Sequence, residues 1–229
     1  LMDIINSDAM KNIRKDMLTN KPNSECKKCY EQESMGFFSM RNNANKHFGH
    51  HITDIEKTSD DGYHPEFKIR YWDVRFSNIC NFRCRYCGPN FSSNWWEDKA
   101  ALYGKDSMRH GKFLYSGKDK DDIWNQMQEH IPHLEQIYFA GGEPLMMEEH
   151  YNILDELERR GRFDVRLIYN TNFTHTRLKD REVFDYWRKF KSVAVGASLD
   201  AMGPRAEYIR RGTDWDTVER NRIKMMETC

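Results

Sequence analysis

The sequence carries no excess charge of either sign: 36 Lys and Arg balance 36 Asp and Glu. A nucleic-acid or anionic-membrane partner would call for a net basic field, and the chain as a whole offers none. No apolar run approaches the roughly 20 residues that cross a bilayer, so no membrane span is expected. No stretch reads as a secretory signal, and six cysteines in 229 residues fit a disulfide framework poorly. A cytoplasmic protein is therefore expected. There is no Walker loop, no G-x-G-x-x-G and no serine–histidine–aspartate arrangement. Internal repeats and low-complexity tracts are also missing.

What is present reads as one barrel-sized domain, or one domain with a small extension. Hydrophobic residues are 38% and charged residues 31%, a globular chain with a wet surface. Aromatics at 13% and twelve Met are enough to fill a core or to line a pocket. The chain begins at Leu1 in a helical pattern and stops at Cys229 after another, so it reads as a fragment.

Three cysteines fall within Cys80-Asn-Phe-Arg-Cys84-Arg-Tyr-Cys87, spaced C-x3-C-x2-C. Three thiolates this close can hold three corners of one metal cluster, leaving the fourth metal open to a small molecule. Zinc would want a fourth ligand, and none is obvious nearby. Iron–sulfur is therefore favoured over zinc and over a purely structural group. The preceding residues, 72–77, alternate like a strand, so the cysteines would lie on the loop that leaves it.

Residues 1–50 read as a first unit, with a helix over 7–19 capped by Ser7 or Asp8. Cys26-Lys-Lys-Cys29 follows, a metal half-site by spacing that two ligands cannot complete. Residues 51–69 are polar and read as a linker. His47, His50 and His51 cluster near this linker and are expected to be solvated. From residue 70 strands alternate with helices. Strands are predicted at 72–77, 135–140, 165–170 and 192–198, and helices at about 92–102, 121–130, 147–160, 178–189 and 214–227. That alternation predicts βαβ units and a parallel sheet. Segment 104–120 reads as an exposed loop, and Trp95-Trp96 as helix packing. Each strand ends in polar chemistry: Gly141-Gly142-Glu143-Pro144, Asn170-Thr171-Asn172 and Ser198-Leu-Asp200. Ligands gather at such C-terminal strand ends. His175 is expected either to touch a substrate or to cap the next helix.

These motifs resemble the radical SAM (S-adenosylmethionine) superfamily. Cys80, Cys84 and Cys87 match its C-x3-C-x-aromatic-C motif, and Gly141-Gly142-Glu143-Pro144 its GGE motif. The resemblance covers about 70–229. It implies an α/β fold, a partial (β/α)6 TIM-like barrel truncated at the C-terminus, whose last two strands lie beyond Cys229. It also implies a [4Fe–4S] cluster on the three cysteines, with SAM chelating the fourth iron. Gly141, Gly142 and Glu143 would hold the SAM ammonium, and Tyr86 would border the adenine through its backbone. Ser198 and Asp200 would stand near the ribose and carboxylate. Arg210 would pair with the carboxylate, or else be a solvated helix residue.

The N-terminal region, Glu25-Cys26 to Glu33 and Ser39-Met-Arg41-Asn, resembles the auxiliary-cluster region of SPASM/twitch proteins. Cys26 and Cys29 would then be two ligands of a second iron–sulfur cluster, with Cys229 a stray thiol or a further ligand. By the same resemblance, the substrate is a peptide or protein, and the electron donor is of the flavodoxin or ferredoxin type. A rival within enzymes is small-molecule or sugar chemistry on the same scaffold, and the alternative from another class is a non-catalytic iron–sulfur or electron-transfer module.

Overall fold

The computed structural model of this protein describes residues 2–117 and 122–229. These form two compact units that divide between Lys68 and Ile69. Among the described residues, no helix is long and apolar enough to cross a membrane.

The N-terminal unit is built of short helices, chiefly Asp8–Leu18, Lys27–Ser34 and Met40–Phe48, followed by a 3₁₀ segment Gly49–Lys57. Ser7 takes the N-cap position of the first, but its side chain makes no cap hydrogen bond. Ser39 caps the third through a reciprocal pair of bonds with Asn42. The segment read as a linker, 51–69, instead folds back within this unit as far as Lys68. Asn6 and His64 exchange hydrogen bonds of 2.9 and 3.1 Å, and Arg14 Nε donates to the Gly62 carbonyl at 2.6 Å. The physical reason lies in Gly62, at φ +85°, where a Cβ would meet the Lys11 carbonyl at 2.1 Å. Only glycine allows the turn to press on the helix so closely. His47 is not simply solvated either, since its Nδ1 lies 2.9 Å from the Asn43 carbonyl.

The C-terminal unit is organised on a parallel sheet of four strands: β1 (Tyr71–Val74), β2 (Gln136–Phe139), β3 (Arg166–Thr171) and β4 (Val193–Ala197). They lie side by side in chain order. The two further strands of the expected partial barrel are not among the described residues. One face is apolar. Trp72, Val74, Ile137, Phe139, Leu167 and Tyr169 point into the core. The helix Glu148–Arg159 covers it with His150, Tyr151, Ile153, Leu154 and Leu157, the i, i+3, i+4, i+7 stripe of an amphipathic helix. The opposite face carries Asp73, Tyr138 and Asn170, all at least partly exposed. The aromatic residues serve both uses foreseen for them, since Tyr151, Phe173 and Trp187 fill the core while Tyr86 and Phe91 line the site cavity.

Two helices differ from expectation. The one predicted over 121–130 is Asp122–Met127, continued by a 3₁₀ turn; residue 121 lies outside the described residues. The one predicted over 178–189 is only Val183–Trp187, because Arg177–Leu178 and Arg181–Glu182 pair as a small hairpin across Lys179 at φ +57°. Exposed His175 therefore caps no helix. Leu167 sits fully buried near the start of β3. We expect Leu167→Ala to cost about 3 kcal/mol, read as a lower denaturant midpoint with an unchanged slope.

Candidate functional site

The cysteine loop leaves the C-terminal end of β1 and is tied down on every side. Buried Asn78 donates to the Pro89 and Lys112 carbonyls at 2.7 and 3.0 Å and accepts from Leu114 N at 2.9 Å. Ser92 Oγ donates to the Phe82 carbonyl, and Trp95 Nε1 to the Cys84 carbonyl at 3.0 Å. Trp95, expected as packing, thus also holds the loop. Arg83–Cys84 form a short antiparallel ladder with Arg210–Arg211. Beside it Gly212, at φ +114°, sits so close that a Cβ would lie 2.9 Å from Phe82 Cδ1.

All three sulfurs are free thiols and line one cavity of about 210 Å³. Cys84 is buried, and Cys80 and Cys87 are half-buried. Burial pushes the Cys80 thiol up to about 12. It raises Cys84 as well, although Arg210 works against it. Left alone, such thiols resist ionisation; a cationic metal centre reverses that preference. Phe82 N already donates to Cys80 Sγ at 3.4 Å, and Arg210 Nη1 lies 3.9 Å from Cys84 Sγ. Converging thiols, one buried and two half-buried, with donors aimed at sulfur fit an iron–sulfur cluster.

The turn after β2 rests directly on this loop. Gly142 N and Glu143 N donate to the Ser77 and Ile79 carbonyls at 3.1 and 2.7 Å. Glu143 then points inward and is 1% exposed. Its Oε1 accepts from Thr171 Oγ1 at 2.6 Å and Leu145 N at 3.2 Å; Oε2 accepts from Asn172 N at 2.6 Å. Desolvation nonetheless raises its pKa to about 7, with those hydrogen bonds opposing the shift.

Ser198 follows β4, and its N donates to the Thr171 carbonyl at 2.8 Å. Asp200, at φ +62°, accepts from the Tyr86 hydroxyl and from Arg210 Nε, each at 2.5 Å. These partners hold its carboxyl below the usual carboxylate range. Arg210 is no solvated helix residue. Its side chain is 14% exposed, and its guanidinium lies 5.3 Å from the Tyr86 ring centroid.

The fold thus brings Cys80, Cys84, Cys87, Tyr86, Gly141, Gly142, Glu143, Ser198 and Arg210 to one cavity, with Asp200 bonded to two of them. Cys26 and Cys29 belong to the other unit, both half-buried at the start of the helix Lys27–Ser34. Reading the sequence missed Asn81, whose side chain bonds Asn172 at 2.7 Å and Thr174 at 3.0 Å, joining the cysteine loop to the end of β3. The Asn-Thr-Asn cluster was the available signal, but nothing in the sequence names its partner. Gly212 was missed too, although it adjoins the Arg-Arg pair.

A family model described as the Radical SAM superfamily matches residues 74–225. The chain is similar to the GTP 3′,8-cyclase of Nautilia profundicola, 27% identical over 142 residues, covering 61% of this chain and 37% of that protein. It is also similar to the GTP 3′,8-cyclase of Photorhabdus laumondii subsp. laumondii, 24% identical over 153 residues, covering 64% and 38%. The chain spans under two fifths of the length of these curated relatives.

Proposed function

The chain belongs to the radical SAM superfamily, which uses a [4Fe–4S] cluster and SAM, and on that premise we propose that it abstracts hydrogen from a peptide or protein substrate. The cluster and SAM supply the chemistry, a one-electron reductive cleavage that gives 5′-deoxyadenosyl for the abstraction. The observation that carries the reading is the single cavity shared by the three thiols, the Gly-Gly-Glu turn and the ends of β3 and β4.

Each residue has a proposed task. Cys80, Cys84 and Cys87 hold the cluster. Glu143 takes the SAM ammonium on the Oε2 capacity that Asn172 leaves over. Arg210, its Nε held by Asp200, turns its remaining donors toward the SAM carboxylate, whose geometry a guanidinium matches. Tyr86 borders the adenine, Ser198 faces the ribose, and Asp200 acts by orienting Tyr86 and Arg210. Cys26 and Cys29 supply two ligands to a second cluster in the N-terminal unit.

The substrate class rests on the SPASM/twitch resemblance and on one feature of the cavity wall. Arg75 is paired with Asp73 at 3.0 and 3.2 Å. An arginine neutralised in this way suits an amide-rich substrate better than a triphosphate.

The test is anaerobic reconstitution with iron and sulfide, reduction with dithionite, and assay for 5′-deoxyadenosine. The nucleoside is expected from the parent and not from the Cys80→Ala/Cys84→Ala/Cys87→Ala variant. A cluster without nucleoside would favour the electron-transfer module instead. GTP, the substrate named for the relatives, is expected to leave nucleoside formation unchanged. Stimulation by GTP would overturn the peptide assignment.

A further inference from the structure

Cys80 is tied to Glu143 on both sides. On one side Glu143 N donates to the Ile79 carbonyl at 2.7 Å. On the other the tie runs through side chains. Asn81 Nδ2 donates to Thr174 Oγ1 at 3.0 Å, Thr174 Oγ1 to Asn172 Oδ1 at 2.8 Å, and Asn172 Nδ2 back to Asn81 Oδ1 at 2.7 Å. Each group gives one proton and takes one, so the bonds close a ring in a single direction, and bonds linked in this way polarise one another. The direction is fixed from outside the ring: Thr174 N, which can only donate, reaches Asn172 Oδ1 at 3.1 Å. His175 Nδ1 stands 3.3 Å from the Thr174 hydroxyl, farther than either ring partner. Asn172 N then donates to Glu143 Oε2 at 2.6 Å. The backbone of the cysteine loop has holds of its own, since the Asn81 carbonyl accepts from Asn94 Nδ2 at 2.9 Å and the Phe82 carbonyl from Ser92 Oγ. The end of β3 depends on the ring more. Buried Phe173, directly after Asn172, sits at φ +61°, a left-handed conformation that is costly for a residue with a side chain. Such strain persists where the surroundings over-determine it, and it gathers at functional sites.

We propose that Asn81 is a positioning residue: through its ring with Thr174 and Asn172 it fixes the Glu143 carboxylate relative to Cys80, and so aligns SAM with the cluster. The inference rests on the reading of Glu143 as the holder of the SAM ammonium. Asn172 is 6% exposed, so removing a ring member leaves a buried amide short of a partner. The aim of Asn172 N then loosens, and with it the place of Glu143 Oε2. The bonds on the Ile79, Asn81 and Phe82 carbonyls remain. The effect therefore falls on how SAM is held, and not on whether the three cysteines gather a cluster.

The experiment compares the reconstituted parent with Asn81→Ala, Thr174→Val and Thr174→Ser, using circular dichroism as the check on folding. Thr174→Val removes the hydroxyl that both accepts and donates in the ring, whereas Thr174→Ser keeps it. Iron and sulfide content and the absorption spectrum are expected to match the parent throughout. SAM affinity should fall about two- to tenfold in Asn81→Ala and Thr174→Val, the worth of a neutral hydrogen bond, and return in Thr174→Ser. The electron paramagnetic resonance signal of the reduced cluster should change shape when SAM is added to the parent, and change less in the two variants that break the ring. A merely structural ring would leave that SAM-dependent change as it is. Asn81→Ala/Glu143→Ala should bind SAM no more weakly than Glu143→Ala alone, because the ring acts through that carboxylate. Additive losses, low iron in a folded Asn81→Ala, or a Thr174→Val protein that binds SAM like the parent would overturn the positioning role and leave Glu143 in place. Should Asn81→Ala fail to fold, the Thr174→Val and Thr174→Ser pair decides the matter. A Glu143→Ala protein that binds SAM as tightly as the parent would instead overturn the ammonium reading, and the ring's role with it.

Discussion

Gly142→Ala is expected to remove most of the cluster, although position 142 touches no metal. A Cβ built there would lie 2.1 Å from the Ile79 carbonyl oxygen and 2.7 Å from the Asn78 and Ile79 carbonyl carbons. These are backbone atoms, so no side chain can swing aside. Either the turn lifts, breaking the bonds from Gly142 N to Ser77 and from Glu143 N to Ile79, or the 78–79 segment retreats. The first removes the backbone bonds that hold the loop before Cys80, and the second displaces Cys80 itself. A misplacement of about 1 Å at a reacting centre commonly costs on the order of a hundredfold in rate. We expect the variant to fold and to show low iron and sulfide after reconstitution. Nucleoside formation should fall by about a hundredfold or more. Gly141→Ala is the comparison. Its φ of +119° makes it strained for alanine, but the nearest atoms stand at 3.3 to 3.4 Å, a tight contact and not the overlap met at position 142. Its loss should be smaller. A Gly142→Ala protein with full iron and parent activity would show that the turn does not set the position of Cys80.

Local pattern carried most of the fold, and contact across distance carried what the pattern missed. Alternation placed all four strands because each has one face against the core, as with Ile137 and Phe139 against exposed or half-exposed neighbours. The first strand was read as far as residue 77 but ends at Val74, because its pairing with β2 ends at Phe139. The hairpin at 177–182 was hidden in a helical-looking stretch because its turn depends on Lys179 adopting a positive φ, which lysine does not advertise. At the site, residue types announced Cys80, Cys84, Cys87 and Glu143. Orientation was not legible. Glu143 was read as facing the cofactor, whereas it also anchors Thr171 and Asn172, 28 and 29 residues further on. The pairing of Arg83 opposite Arg211 was invisible for a similar reason. A net charge of zero averages over segments that meet only when 83 and 211 pair.

The double engagement of Glu143 leads to a pH-dependent affinity. Burial holds its pKa up at about 7, against 4.5 for the free group. A carboxyl raised in this way favours the folded state at low pH, and that contribution fades as pH climbs from 4.5 to 7. Ligand binding has the opposite slope. An ammonium set against Oε2 requires the carboxylate, so below pH 7 binding must expel a proton. SAM affinity of the reconstituted protein should therefore rise up to about tenfold per unit between pH 5 and 7, then level off. Titration calorimetry in two buffers of different ionisation enthalpy should count close to one proton released at the acid end. His150 does not disturb this readout. Its imidazole is buried against Tyr169 and held neutral down to a pKa of about 3, so it changes folding at acid pH rather than proton release at pH 5 to 7. Glu143→Ala should weaken SAM by roughly ten- to a hundredfold at pH 7.5, the worth of a charged hydrogen bond, and flatten the profile. The same change strands the donors on Leu145, Thr171 and Asn172, a cost of about 1–3 kcal/mol for each left unsatisfied. Binding is therefore measured well below the variant's melting temperature, with circular dichroism as the check on folding. A folded variant that binds SAM as tightly as the parent, with the same pH profile, would remove Glu143 from the ammonium site and leave it the purely structural task of joining β2 to β3.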